Sequence, residues 1–155
     1  MARPAYIVFA ESGAIDQPTN RASFFNVVEN LDVIQQEGNA TPPAAAGQRA
    51  TFRIVVAWMK EPADTPDIVF ESEVVCLAPS GEPFFGGHAT TFTFPPEINF
   101  HRLYVNDLHI PGFPALGVYN IEARLRRRGE EGWTTRQTYP FLVRQVAAPN
   151  PPNAD

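Results

Sequence analysis

The chain has 155 residues, 44% of them hydrophobic, which is enough to bury one core of ordinary size. Its formal net charge of -5 disfavours binding to nucleic acid and to anionic membranes. The single cysteine, Cys76, excludes an internal disulfide and the thiolate-rich zinc sites.

The first residues of the chain do not resemble a secretory signal. Their apolar stretch is interrupted by Glu11, and no cleavage pattern follows it. Every apolar run is also shorter than the ~20 residues that a membrane-spanning helix needs. We therefore expect a cytoplasmic protein that does not bind membranes.

Prolines divide the rest of the chain into short segments. Sixteen prolines cluster between apolar runs, where proline ends regular elements. The runs have strand length and are rich in β-branched and aromatic residues; they span 6–15, 49–60, 67–77, 88–94, 99–110, 118–128 and 133–145. This pattern predicts an all-β fold, a single antiparallel β-sandwich of about seven to eight strands over residues 1–146.

Residues 20–36 fit two structures. Helical spacing fits one set of apolar residues, namely Phe24, Val27, Val28 and Leu31. Alternation fits a second set, and the β-branched content of the segment favours it, namely Phe25, Val27, Leu31 and Val33. We favour a strand here, with one short helix as the alternative.

Residues 147–155 read AAPNPPNAD and contain no large apolar side chain. This composition predicts a flexible proline-rich tail.

Alternation along 67–77 places Cys76 in phase with Phe70 and Val74, which predicts a buried thiol. Glu71 and Glu73 fall on the opposite face of the same strand. Two carboxylates this close resemble a catalytic pair, but the sequence places no sugar-stacking aromatic residue beside them. We interpret them as part of a solvated face.

The C-terminal hairpin is the most constrained part of the prediction. Alternation in 118–128 and 133–145 requires odd residues to face odd residues. A three-residue loop over 130–132 satisfies this requirement, with Gly129 opposite Trp133 and Gly132 in a left-handed conformation.

This hairpin gathers five arginines on one outer face, namely Arg124, Arg126, Arg128, Arg136 and Arg144. Arginine binds carboxylate and phosphate in bidentate fashion, so one hypothesis is a face that binds an anion or an acidic protein. The other is a solvated face whose like charges oppose edge-to-edge association. Nearby glutamates and the lack of interleaved aromatic residues argue against nucleic acid.

Motif searches favour a protein that is not an enzyme and holds no cofactor. No GxSxG, GxxxxGK[ST] or GxGxxG pattern occurs. The three histidines lack metal-ligand spacing, because His101 and His109 would lie ~26 Å apart on an extended strand. Oxygen ligands in the first loop, Glu11, Asp16 and Asn20, could bind calcium, although a plain turn uses the same residues.

The segment PGFPALGVYNIEARLRRRGEEGWTTRQTYPFLV resembles the last two strands of immunoglobulin-like sandwiches, with Tyr119 at the position of their tyrosine. The cysteine pair of antibodies is absent, and Trp58 is only a loose match to the core tryptophan. Together with YIVFAESGAIDQPTNRASFFNVVENL, this ending also resembles a family of small uncharacterised bacterial β-sandwich proteins. That resemblance implies a fold and no activity.

The resulting functional hypothesis is a non-enzymatic interaction or accessory module with a protein partner. Sheet edges could also support a homo-oligomer. The alternative is a domain that binds a small ligand or calcium through the loops at one end of the sandwich.

Overall fold

The computed structural model describes residues 1–16, 21–36, 39–41, 51–110 and 112–146, so the predicted tail at 147–155 lies outside it. Within these ranges the chain forms ten strands and no helix. The strands are β1 (Arg3–Asp16), β2 (Arg21–Val27), β3 (Asn30–Gln36), β4 (Asn39–Thr41), β5 (Thr51–Met59), β6 (Phe70–Leu77), β7 (Pro83–Phe92), β8 (Phe100–His109), β9 (Gly117–Arg127) and β10 (Thr135–Gln145). No helix in the described ranges is long and apolar enough to cross a membrane.

The strand prediction for 20–36 is confirmed over the described residues 21–36, and the alternative of a short helix there is wrong. The number of strands was too low, because this segment forms two strands, β2 and β3, and the three-residue β4 follows them. β2 pairs with β1 and β3 pairs with β10, so the chain changes sheet between them at Val28 and Glu29. Alternation alone cannot locate such a crossing, since both halves keep a strand-like pattern.

The strands form two layers. One sheet has the order β2-β1-β5-β8 and the other has the order β4-β3-β10-β9-β6-β7. All described pairs are antiparallel except β3 with β10, which is parallel. The predicted arrangement of two β-sheets is confirmed, but the prediction that all strands are antiparallel is wrong, because β3 and β10 are parallel.

The core lies between the two sheets and is built from the predicted alternation. On β5 the inward side chains are fully or almost fully buried, namely Phe52, Ile54, Val56 and Trp58. Trp58 donates its indole N–H to the hydroxyl of Ser72 on β6 at 2.9 Å, which joins the two sheets through the core. Cys76 is buried as predicted, and this burial raises the pKa of its thiol to about 12.

The C-terminal hairpin keeps the predicted parity but not the predicted register. Thr135 pairs with Leu125 and Tyr139 with Ile121, so odd residues do face odd residues. The register is shifted by two residues from the predicted one, and residues 128–134 connect the strands. Gly129, with φ of 91°, takes the left-handed position expected for Gly132, because the turn closes between the carbonyl of Arg127 and the amide of Glu130 at 3.1 Å.

Several edges of the sheets are irregular. Asn26 on β2 and Asp107 on β8 both have φ of 53°, and the register of β7 against β6 shifts beside Gly86. β3 pairs with β10 only from Leu142 onward, and Pro140, which has no amide hydrogen, lies in the preceding part of β10. Such irregularities interrupt the row of free backbone groups that strand addition requires.

Candidate functional site

Four of the five predicted arginines lie on the outer face of the six-stranded sheet. Arg124 and Arg126 belong to β9, while Arg136 and Arg144 belong to β10. Arg136 pairs directly with Arg124 in the register. Arg128 is exposed in the connection after β9. β9 is an inner strand of the sheet, whereas β10 pairs with β3 only from Leu142 onward, so among the described residues Arg136 lies on a part of β10 that is paired on one side only.

Carboxylates on the same face neutralise part of this charge. We call the set the ion-pair network; it consists of Glu71, Glu73, Glu122, Arg124, Arg126 and Arg136. Arg126 Nε donates to Glu71 at 2.7 Å, and Arg124 Nε donates to Glu122 at 2.9 Å. Arg124 also lies 3.5 Å from Glu73. The register explains the contacts, because Glu71 faces Arg126 and Glu73 faces Arg124 across β6 and β9.

The network contains equal numbers of carboxylates and guanidinium groups. Glu122 is 8% exposed and also accepts Arg136 as an ion-pair partner at 3.6 Å. The sequence alone indicates both the arginines and the glutamates but not the contacts between them. The missing information was the neighbour relation of β6 and β9, which are separated in the chain by two strands.

Arg136 and Arg144 are the more accessible members of the arginine face, with side chains 60% and 57% exposed. Arg144 Nε donates to Asp32 Oδ1 at 2.6 Å, and this hydrogen bond raises the pKa of the guanidinium. Between the two arginines, Leu142 of β10 pairs with Val118 of β9, and Val118 is 49% exposed. We call Val118, Arg136, Thr138, Leu142 and Arg144 the contact strip.

A cleft opens at the other end of the same face. Its volume is about 590 Å³, and its lining consists of Glu71, Glu73, Ala89, Thr90, Thr91, Arg126 and Trp133. The guanidinium carbon of Arg126 lies 4.5 Å from the centre of the Trp133 ring, and Arg126 Nη1 donates to the carbonyl of Glu131 at 3.3 Å. Arg126 therefore contacts both the segment between β9 and β10 and the carboxylate of Glu71 on β6.

An aromatic side chain, that of Trp133, does lie in the same cleft as Glu71 and Glu73, although the sequence did not predict one there. Trp133 belongs to the segment between β9 and β10, and this segment places it close to Glu71 and Glu73 of β6. The predicted register assigned Trp133 to a strand, so it gave no indication of this position. The two glutamates are also not isolated in solvent, since each accepts an arginine.

The two histidines whose side chains the structure describes, His101 and His109, do not come together as a metal site. The ring of His101 is stacked on Phe92 at 3.8 Å between the two sheets, and burial lowers the pKa of His101. His109 is exposed near the end of β8. No group of three or more potential ligands forms in the described part of the chain.

The calcium candidates in the first loop can be placed only in part. Glu11 accepts a hydrogen bond from the amide of Asn26 at 2.8 Å. Asn20 and the side chain of Asp16 lie outside what the structure describes.

Comparisons with known proteins provide no family. No family model matches the chain, and no curated protein matches it. Among solved structures, the chain is similar to a beta-glucuronidase of Bifidobacterium dentium, solved with coumarin-3-O-glucuronide, with 15% identity and a TM-score of 0.42. The match covers 94% of this chain but only 19% of that one. A likeness this distant does not bear on function.

Proposed function

We propose that this chain is a non-enzymatic module that binds another protein through the contact strip. The observation that carries the proposal is the pairing of Val118 with Leu142 between two exposed arginines. Val118 is 49% exposed and lies beside the half-buried Leu142, and adjacent apolar side chains of this kind offer a partner a small apolar contact area on the sheet face. Arginine at the margin of such a patch is among the residues most enriched in interfaces.

The accessible arginines suit this role better than the other three. Arg136 and Arg144 are each more than half exposed. Glu122 keeps Arg124 as a partner when Arg136 turns to another protein, and the exposed pair of Arg144 with Asp32 can be exchanged at small cost. Arg124 and Arg126 instead hold β9 to β6, and Arg128 lies in the turn beyond the face. Of the five arginines, only the two on β10, Arg136 and Arg144, therefore belong to the proposed binding surface.

Binding through the face is favoured over assembly through the edges. Asn26, Asp107 and Gly86 interrupt three of the edge strands, and a second copy would have to pair with these irregular segments. Binding through the contact strip uses side chains on the sheet face and therefore does not depend on free backbone groups.

We also propose that the sandwich is of the immunoglobulin-like kind, a class that often presents such faces to partners. Two observations support this. The β6–β7 and β9–β10 hairpins share one sheet while β5 and β8 lie in the other. Tyr119 donates its hydroxyl to the carbonyl of Ala115 at 2.8 Å, as the tyrosine corner of that class does.

The test is capture of a partner from a lysate of the source organism, with single charge reversals as bait. We expect Arg136→Glu and Arg144→Glu to recover at least about tenfold less of the wild-type partner, corresponding to ~1.4 kcal/mol. Arg128→Glu is the matched control, because it makes the same change in charge outside the contact strip. Equal recovery with all three variants would contradict the proposal.

A further inference from the structure

We propose that the cleft beside Trp133 is a binding site for a neutral saccharide. The cleft is separate from the contact strip, so this proposal does not depend on the protein partner. Its volume of about 590 Å³ falls in the range of ~300–1,000 Å³ that small-molecule sites occupy.

Trp133 supplies an apolar wall, because its partly exposed side chain lines the cleft. Arg126 lies over the ring at 4.5 Å, and the described residues place no second ring or cation on it. The C–H bonds on one side of a pyranose ring carry partial positive charge and pack against the electron-rich face of an indole. The cation on the covered face fixes the ring and reduces the entropy lost on binding.

Glu71, Glu73 and Thr91 supply polar groups beside this wall. Each carboxylate accepts one arginine nitrogen, at 2.7 Å for Glu71 and 3.5 Å for Glu73, and therefore retains lone pairs for ligand hydroxyls. The arginines hold these oxygens in place before a ligand arrives. The exposed Thr91 can both donate and accept.

The charges of the cleft favour an uncharged ligand. The lining contains two carboxylates, Glu71 and Glu73, against one guanidinium, Arg126, and this excess of negative charge disfavours phosphate and sulfate groups. A saccharide satisfies such a site because its hydroxyls both donate and accept hydrogen bonds.

The two tryptophans of the chain allow a direct test by NMR. Trp133 lines the cleft, whereas Trp58 is fully buried in the core and serves as an internal reference. The probes are maltohexaose, cellohexaose and xylohexaose, each titrated to roughly 10 mM, which detects dissociation constants in the millimolar range. We expect at least one of them to shift the Trp133 indole N–H signal saturably while the Trp58 signal stays unchanged.

Variants and a charged probe complete the test. Trp133→Ala should weaken binding at least about tenfold, read from the Thr91 amide signal, whereas Trp133→Phe should retain more of it. An unchanged Trp58 signal in both variants verifies the fold. Hexagalacturonate should bind at least about tenfold more weakly than the best neutral probe. Absence of a saturable shift with all three neutral probes, unchanged binding by Trp133→Ala, or equal binding of hexagalacturonate would overturn the proposal.

Discussion

The hydrogen bond between Trp58 and Ser72 should contribute measurably to stability, because it is buried between the two sheets. Both side chains are 0% exposed, and the donor and acceptor atoms lie 2.9 Å apart. Ser72→Ala leaves the indole N–H without its partner and out of reach of water. The expected loss is about 1–3 kcal/mol in the free energy of unfolding, or roughly 2–12 °C in Tm for a chain of this length.

Urea titration followed by circular dichroism measures this loss. Thr138→Ala on the exposed outer face is the control, with an expected change within about 0.5 kcal/mol. Adding Trp58→Phe to Ser72→Ala should cost less than the sum of the two single changes, because the second change no longer leaves a partner unsatisfied. A loss below about 0.5 kcal/mol for Ser72→Ala, or strict additivity, would refute the reasoning.

Three further predictions concern single positions. A Cβ at Gly86 would lie 2.8 Å from a methyl group of the facing valine, so Gly86→Ala should cost about 1–3 kcal/mol in a urea titration, whereas Gly132→Ala, with nothing within 4 Å, should be neutral. Because the pKa of His101 is lowered in the folded state, its contribution to stability is complete above the unfolded pKa of ~6.5 and is lost as pH falls through the folded pKa. Unfolding titrations from pH 8 to 4 should therefore show a drop in the free energy of unfolding, and His101→Phe should reduce this drop. With a pKa of about 12, Cys76 should react with iodoacetamide only after unfolding, and equal labelling of folded protein would contradict this.

Local alternation predicted the parts of the fold that one strand can specify alone. The inward residues of β5, the burial of Cys76 and the parity of the C-terminal hairpin follow from a period of two. Alternation did not determine the register of the hairpin, because two registers that are shifted by two residues have the same parity. Gly129 and Gly132 are both compatible with the left-handed position, and the contact between Arg127 and Glu130 selects the first.

The sequence did not predict which strands that are distant in the chain become neighbours in a sheet. The parallel pairing of β3 with β10 requires a crossing that no residue pattern marks. For the same reason the arginines of β9 and the glutamates of β6 were found separately, although their contacts create the ion-pair network. Trp133 reaches the cleft through the shape of a connection, which alternation does not describe.

Site-specific cross-linking tests the proposed contact strip most directly. Val118 and Val27 are both 49% exposed, but Val118 lies in the strip and Val27 lies on β2 at the edge of the other sheet. A photoreactive benzoylphenylalanine at each position should give a cross-link to the captured partner from position 118 and none from position 27. Cross-linking from position 27 alone would contradict the account and assign binding to the sheet edge.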